Sequence, residues 1–371
     1  MKKSQTLLIT SLFCLFLGII AALTLLLPKK EFSEVENRYL QASPTFSWKN
    51  VFSGTLMKDT EDYISDHIIG RDLWVQAKAN VERLVGKREN NGIYFGSEET
   101  LLKHIAEPSE EDLLKKVGYV NTLAETAAIP VYFGIVPTSS TIWSDRLPYG
   151  APTADERAWI AEMYENCTAK PLDLIGALTQ HAGEDIYYRT DHHWTSLGAF
   201  YGANALLTAM DLEPLQLDDY TKTTVSAEFR GTIWSSAGAS WITPDEIDTY
   251  VSGEGLDITS VFNTEPEVGS LYHPEYLEKK DKYSYFLGGN QPQCVIRTGV
   301  EGPKLLMLRD SYSDSLAPFL TERFSEIHLL DLRYYSLPIG TYIEENGIDC
   351  AVVLYGFTTF SEDRNLIKMT R

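Results

Sequence analysis

The sequence predicts an α/β fold in which a mostly parallel sheet is flanked by helices. Residues 129–136, 304–308 and 351–354 are continuous apolar runs of strand length, the pattern of strands that are buried on both faces of a sheet. Segments with apolar residues at helical spacing alternate with these runs, and such alternation indicates right-handed crossovers between parallel strands. Functional side chains are therefore expected at the carboxyl ends of the strands.

The N-terminus predicts a membrane anchor. Lys2 and Lys3 precede residues 6–28, which carry no charged side chain, and about 20 apolar residues are enough to span a bilayer as a helix. A cleaved signal peptide is the alternative, but its apolar region is normally shorter and ends in a small-residue cleavage site. Here Pro28 and two lysines follow instead. We therefore expect a single-pass anchor in residues 1–30, with the rest of the chain on the extracellular side of the cell membrane.

The remainder divides by pattern into two parts. Residues 31–90 are predicted to be a helical segment that Gly70 interrupts, and residues 91–371 form the α/β domain. Residues 215–302 are rich in Thr, Ser, Gly, Asp and Tyr with short alternating runs, so they predict an insertion of β and loop structure beside the site. The other predicted elements are helices at 109–128, 153–167, the segment after Trp194, 313–324 and 341–346, and strands at 186–188 and 327–330.

Charge and cysteine content exclude several classes of function. The formal net charge is -20, which argues against nucleic-acid binding because polyphosphates need clustered Lys and Arg. The four cysteines have neither metal-site spacing nor the pattern of a disulfide framework. Nothing in the sequence indicates a cofactor.

Two motifs carry the chemistry. Asp191-His192-His193-Trp194 uses two of the seven histidines in the chain, and a carboxylate beside an imidazole can fix the tautomer of a general base. Ser311 follows the predicted strand 304–308 and precedes a helix, a turn that lifts a serine hydroxyl off the sheet near helix N–H groups. The sequence predicts Ser311 as nucleophile, His193 as base and Asp191 as the residue that orients the base.

Each of these assignments has an alternative. Ser311 could be a helix-cap serine, and His193 a buried structural histidine. The Asp-His-His run also resembles the motif of a metal-dependent phosphoesterase family, whose paired metal ions need several further Asp residues at strand ends. The residues that follow the predicted strands are Pro137, Asp310, Asp331 and Tyr355. Only two of them are acidic, which is too few for paired metal ions, so no metal site is predicted.

The motifs resemble those of a known family. Asp310-Ser311-Tyr312-Ser313 is similar to the Asp-Ser-Leu-Ser stretch of SGNH (GDSL-type) esterases, and Asp191-His192-His193-Trp194 resembles the motif that names the DHHW family of bacterial surface proteins. That family is similar to the SGNH-like alginate O-acetyltransferases. The resemblance covers most of the chain and includes Glu36-Asn37-Arg38, Asp66-His67, Arg71-Asp72, Asn91 through Tyr94, and Pro137 with Leu147-Pro148.

The resemblance implies an SGNH-like sheet in circularly permuted order, because the serine here follows the Asp/His pair. It assigns Asp191, His193 and Ser311 the roles given above. At the family's second and third oxyanion positions the chain has Asp331-Leu332-Arg333-Tyr334 and Gly356-Phe357-Thr358 in place of the usual glycine and asparagine. The Ser311 amide and Arg333 are the candidate substitutes. Further candidates for substrate or oxyanion contacts are Tyr355, Arg230, His192 and Trp194.

The function that the resemblance implies is acetyl transfer onto a cell-surface polysaccharide, or acetyl removal from it, through an acyl-serine. A membrane-bound acyltransferase would then be the partner that supplies the acetyl donor. Trp143, Trp234 and Trp241 could offer stacking surfaces for sugar rings. The alternative is a non-catalytic glycan-binding or assembly protein of the cell surface, which the altered oxyanion positions favour.

Overall fold

The computed structural model describes residues 3–33, 38–252, 258–262 and 270–371. Its helices are α1 (Lys3–Leu26), α2 (Trp48–Phe52), α3 (Thr55–His67), α4 (Arg71–Leu84), α5 (Glu110–Thr126), α6 (Ser139–Ile142), α7 (Glu156–Glu165), α8 (Leu174–Gln180), α9 (Ser196–Ala209), α10 (Thr232–Ala237), α11 (Tyr312–Leu320), α12 (Ile339–Asn346) and α13 (Phe357–Glu362). Its strands are β1 (Phe32–Ser33), β2 (Arg38–Tyr39), β3 (Glu89–Asn90), β4 (Ile93–Phe95), β5 (Leu101–Lys103), β6 (Val131–Val136), β7 (Lys170–Pro171), β8 (Tyr220–Phe229), β9 (Asp245–Ser252), β10 (Ile258–Phe262), β11 (Gln293–Thr298), β12 (Lys304–Arg309), β13 (Glu326–Leu330) and β14 (Cys350–Gly356).

The chain packs as two compact units. The first unit comprises residues 1–91 and 234–241, and the second comprises residues 92–233 and 242–371. The predicted division into an anchor (1–30), a helical segment (31–90) and an α/β domain (91–371) was drawn from pattern alone and stays a prediction.

A seven-stranded sheet in the order β10-β11-β13-β12-β14-β6-β7 forms the centre of the second unit. Strands β13, β12, β14, β6 and β7 pair in parallel, whereas β11 and β10 are antiparallel additions at one edge. The three apolar runs identified in the sequence are β6, β12 and β14. They are adjacent in the sheet, in the order β12-β14-β6. The predicted mostly parallel sheet is confirmed.

Strand β12 shows why these strands are apolar throughout. Leu305 and Met307 pack into a core with residues of α9 and α11, while Leu306 and Leu308 pack into a second core with residues of α5, α12 and α13. Side chains alternate between the two faces of a strand, and both faces are covered here. A strand between two helical layers has no position that favours a polar residue, so the run is continuous rather than alternating.

One predicted strand is wrong. Residues 186–188 form no strand of the sheet; Tyr187 makes only an isolated bridge with Trp194. The last parallel strand is instead the short β7, which pairs with β6. Asp191 and His193 therefore lie in a loop that folds back on itself, and only Ser311 directly follows a sheet strand.

The segment 215–302 is made of β and loop structure, as predicted, but two of its strands belong to the central sheet. Strands β8 and β9 form a separate antiparallel pair. Strands β10 and β11 join the sheet beside β13, and the short helix α10 was not predicted. Residues 253–257 and 263–269 of this segment lie outside the described residues.

In the first unit, α1 is long and apolar enough to cross a membrane. Gly70 separates α3 from α4 with φ of 69°, a left-handed conformation that glycine adopts without steric cost. Arg38 donates to the Asp66 carboxylate at 2.9 Å, which joins two of the motifs that carry the family resemblance. Glu36 and Asn37 of the same motif lie outside the described residues.

Candidate active site

The loop 191–194 is fixed to the helix that follows Ser311. The Trp194 indole is fully buried, and its Nε1–H donates to the Tyr312 carbonyl at 3.0 Å and to Ser315 Oγ at 3.1 Å. Both acceptors belong to α11. Trp194 therefore acts as a tie between the two motifs, and its buried ring offers no exposed face to a sugar.

Three side chains of the two motifs are connected by hydrogen bonds in series. His193 Nδ1 lies 2.6 Å from Asp191 Oδ1, and His193 Nε2 lies 2.7 Å from Ser311 Oγ. Asp191 and His193 are buried, whereas Ser311 is half-buried. The structure thus brings together the three residues that the sequence nominated, with the hydroxyl at the more accessible end. With Nδ1–H donated to the carboxylate, Nε2 is free to accept the serine proton.

The second oxygen of Asp191 is held by a residue that the sequence did not single out. Thr232 donates to Asp191 Oδ2 from its backbone N–H at 2.8 Å and from Oγ1 at 3.0 Å. The preceding residue is Gly231, where an added Cβ would lie 2.2 Å from Asp191 Oδ2. Only glycine lets the backbone pass this close. The nearest signal in the sequence was Arg230, which was among the predicted substrate contacts.

Tyr283 is a further residue that the sequence did not predict. Its ring stacks on His193 with centroids 3.8 Å apart and planes at 8°, and its hydroxyl donates to the Ser311 carbonyl at 3.1 Å. The stacked ring covers one face of the imidazole and limits its rotation. Tyr283 lies in the segment 215–302, and no local pattern connects it to the site.

The turn that carries Ser311 is held by Asp310. One carboxylate oxygen accepts the Tyr312 N–H at 3.1 Å, and the other accepts the Gly356 N–H at 2.9 Å. Among the described residues, no protein group accepts the Ser311 N–H. That N–H lies at the start of α11, where the helix dipole favours negative charge. It could donate to an oxyanion beside Ser311 Oγ, whereas the Gly356 N–H already donates to Asp310.

The pKa values of the neighbouring residues His192 and His193 are shifted in opposite directions. Burial and the adjacent His192 lower the pKa of His193 below its ordinary value of 6.5 despite the favourable effect of Asp191. His192 is only half-buried, and the partial loss of water works against its charged form, but Asp191 outweighs this and raises the pKa of His192. Burial raises the pKa of Asp191, and the two histidines overcome this effect and hold it well below 3.8. Near neutral pH, His193 is therefore uncharged and Asp191 is ionised, the states that a base and its orienter need.

His192 lies at the edge of the site. Its side chain is 40% exposed, and its Nδ1 lies 3.0 Å from Thr232 Oγ1 and 3.3 Å from Asp191 Oδ1. Its ring centroid is 3.8 Å from that of His193. His192 thus presents a second, more basic imidazole toward solvent.

The remaining predicted residues have other partners. Arg333 makes a bidentate pair with Asp331, at 2.9 Å and 2.6 Å, and also donates to Asn290 Oδ1 at 3.1 Å. Tyr355 is fully buried in the core that contains α13. Arg230 is half-buried, and its carbonyl accepts from Lys280 Nζ at 2.8 Å. None of these contacts joins Arg333, Tyr355 or Arg230 to Ser311.

Asp191, His192 and His193 also have the composition of a metal site, with one ligand atom from each lying within 4.8 Å of the others. Asp191 already accepts at both oxygens, from His193 and Thr232, and both ring nitrogens of His193 are engaged. A metal ion would have to replace these hydrogen bonds. The donor set therefore fits proton transfer better than metal binding.

The fold is that of an SGNH-like α/β protein. The chain belongs to the DHHW family, whose model, described as DHHW protein, matches residues 110–330. No curated protein matches the chain.

Solved structures resemble the chain over most of its length. A DHHW family protein from Eubacterium siraeum is 25% identical with a TM-score of 0.67, over 76% of this chain and 95% of that one. Bacillus cereus PatB1 with a sulfonyl adduct is 20% identical with a TM-score of 0.62, over 75% and 98% of the two chains. The O-acetyltransferase domain of Pseudomonas putida AlgJ is 15% identical with a TM-score of 0.47, over 76% and 99%.

Proposed function

We propose that this protein is a membrane-anchored, extracellular O-acetyltransferase or acetylesterase that acts on a cell-surface polysaccharide through an acyl-serine. The observation that carries the proposal is the chain of hydrogen bonds from Asp191 through His193 to the accessible hydroxyl of Ser311. The family membership supports it. Helix α1 supports the anchor, and the extracellular position of the second unit is part of the proposal.

The reaction begins when Ser311 Oγ attacks the carbonyl carbon of an acetyl donor while His193 Nε2 takes the serine proton. The negative charge on the carbonyl oxygen is stabilised by the Ser311 N–H and the amino end of α11. His193 Nε2–H then protonates the leaving group, and acetyl-Ser311 remains. A sugar hydroxyl, or water, gives its proton to His193 and attacks the acetyl group, and the proton returns to Ser311 Oγ as the ester breaks.

The transferase and the esterase differ only in the group that accepts the acetyl. A transferase would receive acetyl groups from a partner, which we propose to be a membrane-bound acyltransferase. His192, exposed at the edge of the site with a raised pKa, is the candidate contact for the acceptor.

The test is acetyl release from an aryl acetate by the full chain in detergent, with Ser311→Ala and His193→Ala beside the wild type. We expect each substitution to lower kcat/KM by roughly 10³-fold or more, and a sulfonyl fluoride to label wild type but not Ser311→Ala. Dialysis against EDTA should leave the rate unchanged. Equal rates in all three proteins, together with absent labelling, would overturn the serine mechanism.

A second function is favoured by a specific observation. Thr358 stands where the family has an asparagine, and Arg333, the candidate substitute at the second oxyanion position, is held by Asp331 and Asn290. A non-catalytic glycan-binding or assembly protein would tolerate this arrangement. Such a protein would retain glycan binding in the Ser311→Ala variant and show no labelling of Ser311 in the wild type.

A further inference from the structure

Large apolar side chains are exposed in the first unit far more often than in the second. Outside α1, residues 38–85 expose thirteen of them, whereas described residues 92–233 and 242–371 expose five. Soluble surfaces rarely carry so dense an apolar region unless it meets a membrane or a partner. The exposed residues of helices α2 to α4 are called the apolar face below.

On α4 the apolar face is a continuous stripe. Leu73, Trp74, Val81 and Leu84 of α4, together with the C-cap residue Val85, are all at least half exposed, and at 3.6 residues per turn they fall within about 120° of the helix circumference. The buried residue of this helix is Ala79, which lies on the opposite side. The side of α4 that carries Ala79 is therefore buried within the first unit, whereas the opposite side is apolar and exposed.

The apolar face is continuous with the end of α1. The Ile69 N–H, in the turn between α3 and α4, donates to Thr24 Oγ1 at 3.1 Å, and Thr24 lies two residues before α1 ends. His67 Nε2 lies 3.1 Å from the Lys30 carbonyl. If α1 spans the bilayer, this turn lies at the level where the span leaves the lipid.

Aromatic residues occupy the positions that such a depth would favour. Trp74 follows the turn and donates its indole N–H to the Ile69 carbonyl at 3.1 Å. On α2, Trp48 has ring neighbours at 5.7 Å and 6.3 Å in Phe46 and Phe52, and all three are more than 60% exposed. Tryptophan is enriched at membrane–water interfaces, where its apolar ring is in lipid and its N–H can be hydrogen-bonded.

The charge of this region differs from that of the rest of the chain. Residues 46–88 contain seven Lys or Arg and six Asp or Glu, although the whole chain has a net charge of -20. Anionic headgroups would repel a strongly acidic surface but not this one.

We propose that the apolar face of α2, α3 and α4 lies in the phospholipid headgroup region as an interfacial anchor that continues from α1. The inference rests on the membrane anchoring in the proposed function, and it adds a second contact with lipid. The occupant is the bilayer because the face begins where the membrane-length helix ends. In this proposal the side chains of Trp48 and Trp74 are buried in the membrane–water interface.

Tryptophan fluorescence can test the proposal directly, because α1 contains no tryptophan. The full chain is placed in vesicles of phosphatidylglycerol and phosphatidylethanolamine with brominated acyl chains, which quench nearby indoles. We expect the wild type to be quenched and the double variant Trp48→Phe/Trp74→Phe to lose most of that quenching. The control is Trp159→Phe. The Trp159 indole lies in the second unit, where it donates to Glu107, so this variant should be quenched like the wild type.

Alkaline carbonate extraction of the same vesicles separates the two proposals. A chain that resists extraction but is not quenched would contradict the interfacial anchor and leave the spanning helix intact. A chain that is extracted yet was quenched beforehand would support the interfacial anchor and contradict the spanning α1. Absent quenching together with a cross-linked dimer would mean that a second copy covers the apolar face, which would also overturn the proposal.

Discussion

The two units treat burial in opposite ways. The second unit buries charged groups, including Asp191, Arg309 and Asp310, while exposing few large apolar side chains. The first unit leaves large apolar side chains uncovered along α2 to α4. Buried charge is costly unless hydrogen bonds compensate it, and exposed apolar surface is costly unless another phase covers it. The buried charged groups of the second unit include those that we propose for catalysis. The exposed apolar side chains of the first unit are those that we propose for membrane contact.

The largest expected effect sharpens this contrast with one substitution in each unit. Leu316 on α11 is fully buried and Leu84 on α4 is 85% exposed. Leu316→Ala should lower the free energy of unfolding by about 2–5 kcal/mol because it removes packed atoms and leaves a cavity. Leu84→Ala should change it by less than about 0.5 kcal/mol in detergent. Urea unfolding of the full chain in detergent micelles measures both, and equal losses would mean that the apolar face is covered within the protein itself.

The next prediction concerns the close packing behind the acid. Gly231→Ala would place a methyl group against Asp191 Oδ2, so the carboxylate must move and His193 must follow. A displacement of about 1 Å can cost roughly 10²-fold in rate, and we expect a loss of that size in kcat with aryl acetate. Gly299→Ala is the matched control, because an added Cβ there meets nothing within 4 Å. A Gly231→Ala protein with the wild-type rate would show that Thr232 and its neighbours do not position the acid.

The same difference between local and distant contacts explains how much the sequence could predict. Strands β6, β12 and β14 were predictable because burial on both faces makes each an unbroken apolar run. Ser311, His193 and Asp191 were predictable because they lie in two compact motifs. Strand β7 has only two residues, which is too few for any period to be recognised. The antiparallel addition of β10 and β11 depends on pairing partners far away in the chain.

The site divides in the same way. Thr232 and Tyr283 contact Asp191 and His193 only after the segment 215–302 has folded against the loop, so their roles are absent from local pattern. The predicted strand 186–188 failed for a related reason, since an apolar triplet meets the composition rule for a strand without having a neighbour to pair with. Only the single Tyr187–Trp194 bridge forms.

The smallest expected effect tests the electrostatics that distinguish the second unit. In the proposed mechanism the base must be neutral His193, so the rate should fall as pH decreases through the pKa of His193, which lies below 6.5. Charged His192 is one cause of that lowering, after burial. His192→Gln removes the charge, the pKa of His193 should rise, and the acidic limb of the kcat/KM profile should move to higher pH. The control is His181→Gln, a partly exposed histidine that pairs with Glu184, which should leave the limb in place. A limb that stays at the wild-type pH in His192→Gln would mean that burial and Asp191 set the pKa of His193 without His192, and that the second imidazole serves the acceptor and not the base.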